Sequence, residues 1–214
     1  MALRIQTFVS GPLQTNVYLL EDTETQQAVL IDPSFINPQA QAAAEKMVES
    51  GVKLTAIWLT HAHLDHWHGS GWWQRTYTLP VYLHRDDQIW TEDPKEQAMW
   101  LNFPEPDVAT IDHWMEENQV LAVGDFKFQV IHTPGHSPGS VSFYCAQENL
   151  VIDGDVLFAG SVGRTDLPEC DASALRVSLR KLMALPPETK VLPGHGPTTT
   201  INEEKATNPF CWNM

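Results

Sequence analysis

Four short runs of apolar, β-branched and aromatic residues each break off into a polar cluster. LTAIWL (54–59) runs into THAHLDH, FKFQVI (126–131) into HTPGH, LVI (150–152) into DGD, and KVL (190–192) into PGHG. Runs of this kind predict strands, and each one delivers its His or Asp residues onto a loop at one end. Further strands are predicted at 3–9, 16–20 and 28–32. Helical patterning appears over NPQAQAAAEKMVES (37–50), which Gly51 stops, and over DASALRVSLRKLMA (171–184), where Asp171 suits the N-cap. The stretch 91–118 mixes prolines, acidic clusters and tryptophans without a clear period. It predicts an irregular or partly helical excursion that overhangs the site.

Strands and helices follow one another in both halves, which argues for an α/β sandwich of two sheets covered by helices. If the four polar loops meet at one edge of those sheets, that edge is the site. No repeat, low-complexity tract or linker interrupts the pattern, so 1–214 is read as a single domain, long enough to bury a sizeable core.

Composition narrows the classes. Hydrophobic residues at 43% and charged residues at 19% are globular values, far from those of disorder. A net charge of −14 repels a polyanion, so nucleic acid is excluded as an expected partner. Cys145, Cys170 and Cys211 are odd in number and widely spaced. Neither a disulfide framework nor a thiolate zinc site is predicted, and a reducing cytoplasmic setting is expected. The N-terminus has no signal-like apolar run and no stretch approaches a membrane span, so a soluble, unprocessed chain with no membrane partner is expected. Nothing here fixes the oligomeric state.

The density of imidazole in THAHLDHWHG (60–69) points to metal chemistry. Zinc takes about four ligands, and two ions sharing a bridging group need roughly seven. The strand-end candidates are His61, His63, Asp65, His66, His136, Asp155 and His195. A lone His is commonly structural and an Asp in DGD is commonly a turn former. Clustering overrides that reading. His61, His63, Asp65 and His66 lie within six residues, and the other three follow strands in TPGH, GD and PGH, where Gly and Pro aim a single side chain. Two divalent ions are therefore expected, zinc first, with iron or manganese as alternatives.

H-x-H-x-D-H, TPGH, GD and PGH, in this order, resemble the metallo-β-lactamase superfamily over nearly the whole chain. GSVGRTDLP (160–168), PGHGPTTT and the terminal TNPF (207–210) resemble its short bacterial type II glyoxalases, the hydroxyacylglutathione hydrolase-like group. The resemblance implies an αββα sandwich, two mixed sheets covered by helices, with the site at their edge. It implies His61, His63 and His136 on one metal, Asp65, His66 and His195 on the other, and Asp155 bridging. The implied reaction is hydrolysis of a small-molecule thioester of glutathione, such as S-lactoylglutathione, by attack of a hydroxide between the metals, which Asp65 orients and whose proton it carries. A thiol of pKa about 8.5 leaves as thiolate without a strong general acid.

Arg164 falls at a basic position that in glyoxalase II-type enzymes contacts a glutathione carboxylate; equally, it can brace its loop by pairing with Asp166. His68 stands where the family commonly has a small residue, and is read as a packing group rather than an eighth ligand. Asp32 is expected to brace the first metal loop, and Trp67 is the tryptophan expected to meet substrate. His84, His113 and His132 receive no functional role. Asp rather than Cys at 155 points away from lactamases with a thiolate ligand. At this length, the C-terminal helical domain with which longer glyoxalases bind glutathione is not expected, so the thiol half of the substrate is expected to be loosely specified. The rivals are a persulfide dioxygenase holding one iron through His61, His136 and Asp155, a lactonase or esterase using the same binuclear site, and a binding module in which metals only knit loops together.

Overall fold

The computed structural model describes residues 2–212. Its first sheet runs in chain order through β1 (Leu3–Ser10), β2 (Thr15–Asp22), β3 (Gln27–Ile31), β4 (Lys53–Trp58), β5 (Val81–His84) and β6 (His113–Met115). The first three strands are antiparallel and need only tight turns. From β3 onward the pairing is parallel, and each parallel step requires a crossover. Helices supply it: α1 (Pro38–Glu49) before β4, α2 (Leu64–Trp67) and α3 (Ser70–Tyr77) before β5, and α4 (Gln88–Glu92) with α5 (Pro94–Leu101) before β6.

The second sheet is formed by β7 (Val120–Val123), β8 (Phe126–His132), β9 (Val141–Cys145) and β10 (Leu150–Gly154). After the small hairpin β11 (Leu157–Phe158) and β12 (Ser161–Val162), helix α6 (Ala172–Met183) returns the chain to β13 (Lys190–Pro193), which pairs parallel to β10. Strand β14 (Thr199–Thr200) closes that edge and α7 (Ile201–Thr207) follows it.

Periodicity explains the layers. On β8, Phe126, Phe128 and Val130 are buried while Lys127 and Gln129 between them are exposed. The inward residues meet Tyr18, Leu20, Val29, Ile31 and Trp58 of the first sheet in one core between the sheets. On β2 every residue is buried, because Val17 and Leu19 face the opposite way, toward Ala40, Ala44 and Met47 of α1. On the far side, Val151 and Val191 pack under Leu175, Leu179 and Leu182 of α6. The order is helix, sheet, sheet, helix, as the sequence predicts.

Predicted boundaries hold to within two residues for the early strands. Asn37 lies outside α1 as its cap, accepting from the Gln39 and Ala40 amides, and Asp171 caps α6 in the same way. The excursion at 91–118 is more ordered than its sequence suggests, since it contains α5 and β6. Among the described residues no helix is long and apolar enough to cross a membrane.

Candidate metal centre

The loops after β4, β8, β10 and β13 converge. Strand β4 feeds a short loop from Thr60 to His63, with His63 itself extended, and the single turn of α2 then presents Asp65 and His66 on consecutive positions. His63 Nδ1 lies 2.8 Å from His136 Nε2, with the two rings perpendicular, and His61 stands edge-on to both. His195 Nε2 lies 3.2 Å from Asp65 Oδ2. Three groups of potential ligand atoms result, His61 with His63 and His136, Asp65 with His66 and His195, and, linking these two, His61 with His66 and Asp155, each group within 4.8 Å. Asp155 lies between the first two: Oδ2 is 3.4 Å from both His136 Nε2 and His195 Nε2, and Oδ1 is 3.3 Å from His66 Nε2.

The outward nitrogens show which atoms remain for an ion. His66 Nδ1 donates to Asp32 Oδ2 at 2.9 Å, His136 Nδ1 to the Arg164 carbonyl at 2.9 Å, and His195 Nδ1 to the Leu13 carbonyl at 2.9 Å. Each of these bonds fixes a tautomer and turns Nε2 inward. His61 Nε2, His63 Nε2, His66 Nε2 and Asp155 Oδ1 are fully buried and have no hydrogen-bond partner among the described residues. Buried polar atoms are almost always paired. Four such orphans, three of them on His61, His66 and Asp155, whose ligand atoms lie within 4.8 Å of one another, fit divalent cations of the zinc, iron or manganese kind.

The electrostatics agree with a site built for positive charge. Burial pulls the His61 imidazole well below its ordinary range, helped by His66, His63 and His136, and burial likewise brings His63 down to about 3. Burial also opposes a charged His195, but hydrogen bonds to Asp155 and Asp65 outweigh it and push the imidazole up to about 10. Against burial, His66 and His195 hold the carboxyls of Asp65 and Asp155 below the usual range. Without cations, the protons on these histidines balance the carboxylates.

Glycine at 194 is a steric requirement. A Cβ there would lie 2.1 Å from Asp155 Oδ1 and 2.7 Å from His66 Cε1, inside the ligand cluster itself.

Supporting residues divide into those legible in the sequence and those hidden. Asp32 braces the first loop, accepting from the Thr60 amide at 2.7 Å, the Thr60 hydroxyl at 2.6 Å and His66 Nδ1. Asp87 gave no signal. It follows β5, is fully buried, and accepts from the Ala62 amide at 2.8 Å, the Ser137 hydroxyl at 2.8 Å and the Gly139 amide at 2.5 Å. It thereby ties the His61–His66 loop to the loop that carries His136. Burial raises its carboxyl to about 6 against the pull of those donors. Gln97 on α5 likewise accepts from the Leu64 amide and donates to the Ala62 carbonyl, fastening the excursion to the metal loop. Thr15 donates to Asp65 Oδ2, and Asn16 and Tyr18 both donate to the Pro193 carbonyl beneath His195.

Two expectations are settled against or toward packing. Trp67 does not face the cavity: it is buried in the core, with Nε1 donating to the Ala62 carbonyl. One step past His66 on a helical turn rotates the side chain about 100° away from the ligand face. Trp90 and Trp100, from α4 and α5, line the cavity instead. His68 stacks on Phe35 at 3.9 Å and donates Nε2 to the Pro104 carbonyl at 3.1 Å, outside these ligand groups. His68→Ala should therefore leave the metal content per chain unchanged while lowering the melting temperature; loss of one ion on elemental analysis would make it a ligand.

Arg164 lines the cavity, yet its guanidinium is engaged in a bidentate pair with Asp166 at 2.7 and 2.8 Å. A further grouping, His84, Asp86 and His132, lies apart from the seven. There His84 Nδ1 accepts from the Asp86 amide and His132 Nε2 donates to the Pro138 carbonyl, as structural histidines do.

Residues 10–195 match the family described as the metallo-beta-lactamase superfamily. The chain belongs to that superfamily. Among curated proteins it is 39% identical to the probable metallo-hydrolase YqgX of Bacillus subtilis, over 94% of this chain and 93% of that one. It is 34% identical to the hydroxyacylglutathione hydrolase GloC of Haemophilus influenzae, over 97% and 98%. Among solved structures, TTHA1623 in a di-iron-bound form matches with a TM-score of 0.85 at 43% identity, over 96% of this chain and 99% of that one. BLEG-1, described as a B3 metallo-beta-lactamase, matches at 0.86 and 39%, over 97% and 99%. ETHE1 from Myxococcus xanthus matches at 0.78 and 30%, over 96% and 83%. The superfamily and the names of YqgX and GloC indicate metallo-hydrolase activity, and members of the superfamily bind metal ions.

Proposed function

We propose that the protein is a binuclear metal-dependent hydrolase of thioesters, with glutathione thioesters such as S-lactoylglutathione within its range. The observation that carries this reading is the place of Asp155, whose carboxylate reaches His66, His136 and His195 at once. His61, His63 and His136 would hold one ion, Asp65, His66 and His195 the other, and Asp155 both. Two such ions supply an activated water near neutral pH and a polarised carbonyl.

The chain's own residues supply the rest. Asp65 lines the cavity, and its Oδ2 is fixed by Thr15 at 3.1 Å and His195 at 3.2 Å, which orients a carboxylate able to take a proton from the attacking water. A thiolate departs without protonation, so no separate general acid is needed. The relation to GloC supports the glutathione thioester as first substrate. The mononuclear iron alternative uses only His61, His136 and Asp155. It leaves Asp65 and His195, held in register by Thr15 and Leu13, without a task.

A second reading, opening of a β-lactam amide, is favoured by the likeness to BLEG-1. An amide nitrogen must gain a proton as it leaves, which suits this site less well. The test is a side-by-side assay of the zinc-loaded protein on S-lactoylglutathione, a chromogenic cephalosporin, an acyl-homoserine lactone and, with an oxygen electrode, glutathione persulfide. The expected result is fastest turnover of the thioester, with one thiol released per ester consumed. Faster opening of the cephalosporin or the lactone, or oxygen uptake on the persulfide, contradicts the proposal.

A further inference from the structure

Above the seven candidate ligands opens a cavity of about 590 Å³. Its floor is polar, formed by His63, Asp65, His136, Asp155 and His195. Its walls are mostly apolar, formed by Leu13, Trp90, Trp100, Leu101, Phe158 and Leu167, with Gln97, Ser161 and Arg164 as the polar exceptions. Leu13 and Trp100 are about half exposed, at 48% and 56%, so the mouth presents uncovered apolar surface directly over the reactive groups. Large apolar side chains left in water beside a concave site mark recognition of an apolar ligand.

Charge points the same way. Among the described residues Arg164 is the one arginine or lysine in the lining, and its Nε and Nη2 already pair with Asp166. The adjoining surface, which shares Trp90, Trp100 and Pro168 with the cavity, carries Glu92, Asp93, Glu96 and Glu169. A substrate bearing carboxylates or phosphates would meet like charge at this rim, while Arg176 and Arg180 lie outside the lining, on the surface beyond Arg164.

Resting on the thioester hydrolase reading above, we infer that the preferred substrates are thioesters with a bulky, uncharged apolar substituent, aliphatic or aryl, and that the carboxylates of glutathione contribute nothing to their recognition. The apolar walls would take the substituent and the polar floor the scissile group. Lactoyl, small and hydroxylated, fills little of such a cavity.

The test separates recognition from hydrolysis. Thioethers cannot be hydrolysed, so their binding to the metal-loaded protein, by isothermal titration calorimetry, reports the walls alone. Across S-ethyl, S-butyl and S-hexyl N-acetylcysteamine, affinity should rise about 3- to 4-fold per methylene, the value of one buried CH₂. S-hexylglutathione should bind no more tightly than the uncharged hexyl compound. Trp100→Ala, a change at an exposed position, should cost the hexyl compound about 5-fold or more and the ethyl compound little. In turnover, S-hexanoyl-N-acetylcysteamine should exceed S-lactoylglutathione in kcat/KM by about 10-fold or more, as the same increments require. A flat chain-length series, or S-hexylglutathione binding about tenfold tighter, equivalent to one extra charged pair, overturns the inference. A steep series without hydrolysis of any thioester supports apolar recognition and instead overturns the hydrolase reading.

Discussion

Asp155→Ala should lose both metal ions and, with them, activity by about a thousandfold or more, the loss of several kcal/mol of transition-state stabilisation. The expectation follows from geometry, since one carboxylate stands within 3.4 Å of a nitrogen from each ligand group. The carboxylate sits in a tight cradle, because Gly194 brings backbone against it and a Cβ at 194 would lie 2.1 Å from Oδ1. The fold should survive, for the sandwich core between the sheets makes no use of Asp155. Elemental analysis and a far-UV spectrum on the same sample check both halves. A folded variant that keeps two ions and normal rates would show that the bridging assignment is wrong.

Asp87→Ala acts on the support rather than on a ligand. It strips the acceptor from two buried amides, at Ala62 and Gly139, and one acceptor from the Ser137 hydroxyl, which keeps Ser140 as a partner. Each orphaned donor costs about 1–3 kcal/mol, offset in part by release of a carboxyl that burial already disfavours. A net loss of about 3 kcal/mol lowers the melting temperature by roughly 6–12 °C in a chain of this size. Metal affinity should weaken about 10- to 100-fold, as for other residues that orient ligands through hydrogen bonds. Calorimetric melting with and without added zinc measures both effects. An unchanged melting temperature would mean that the two loops hold their positions without Asp87.

The contrast between these two residues shows what the sequence makes legible. Asp155 is visible because a hydrophobic run ends in DGD, and strand-end loops of one sheet edge must meet. The fold is visible for the same reason: alternation on FKFQV and the double-sided apolar run of β2 report how many faces each strand buries. Asp87 is invisible because RDDQ, read locally, is an ordinary solvated turn. Its burial arises from three donors contributed by residues 25 to 52 positions away. Trp67 misleads for a related reason, since neighbours along a helical turn point in different directions while neighbours in sequence look alike. Helix α5 did carry a start signal within its proline-rich surroundings. Asp93 accepts from the Glu96 amide and Pro94 occupies the first turn, a cap that outweighs the lack of a clear period.

The central claim is that seven side chains form two ligand groups sharing one carboxylate, and metal stoichiometry tests it most directly. Elemental analysis of protein purified without added metal or chelator should give two ions per chain, zinc alone or mixed with iron or manganese. A single iron per chain, or no bound metal after saturation with zinc, would contradict the binuclear centre.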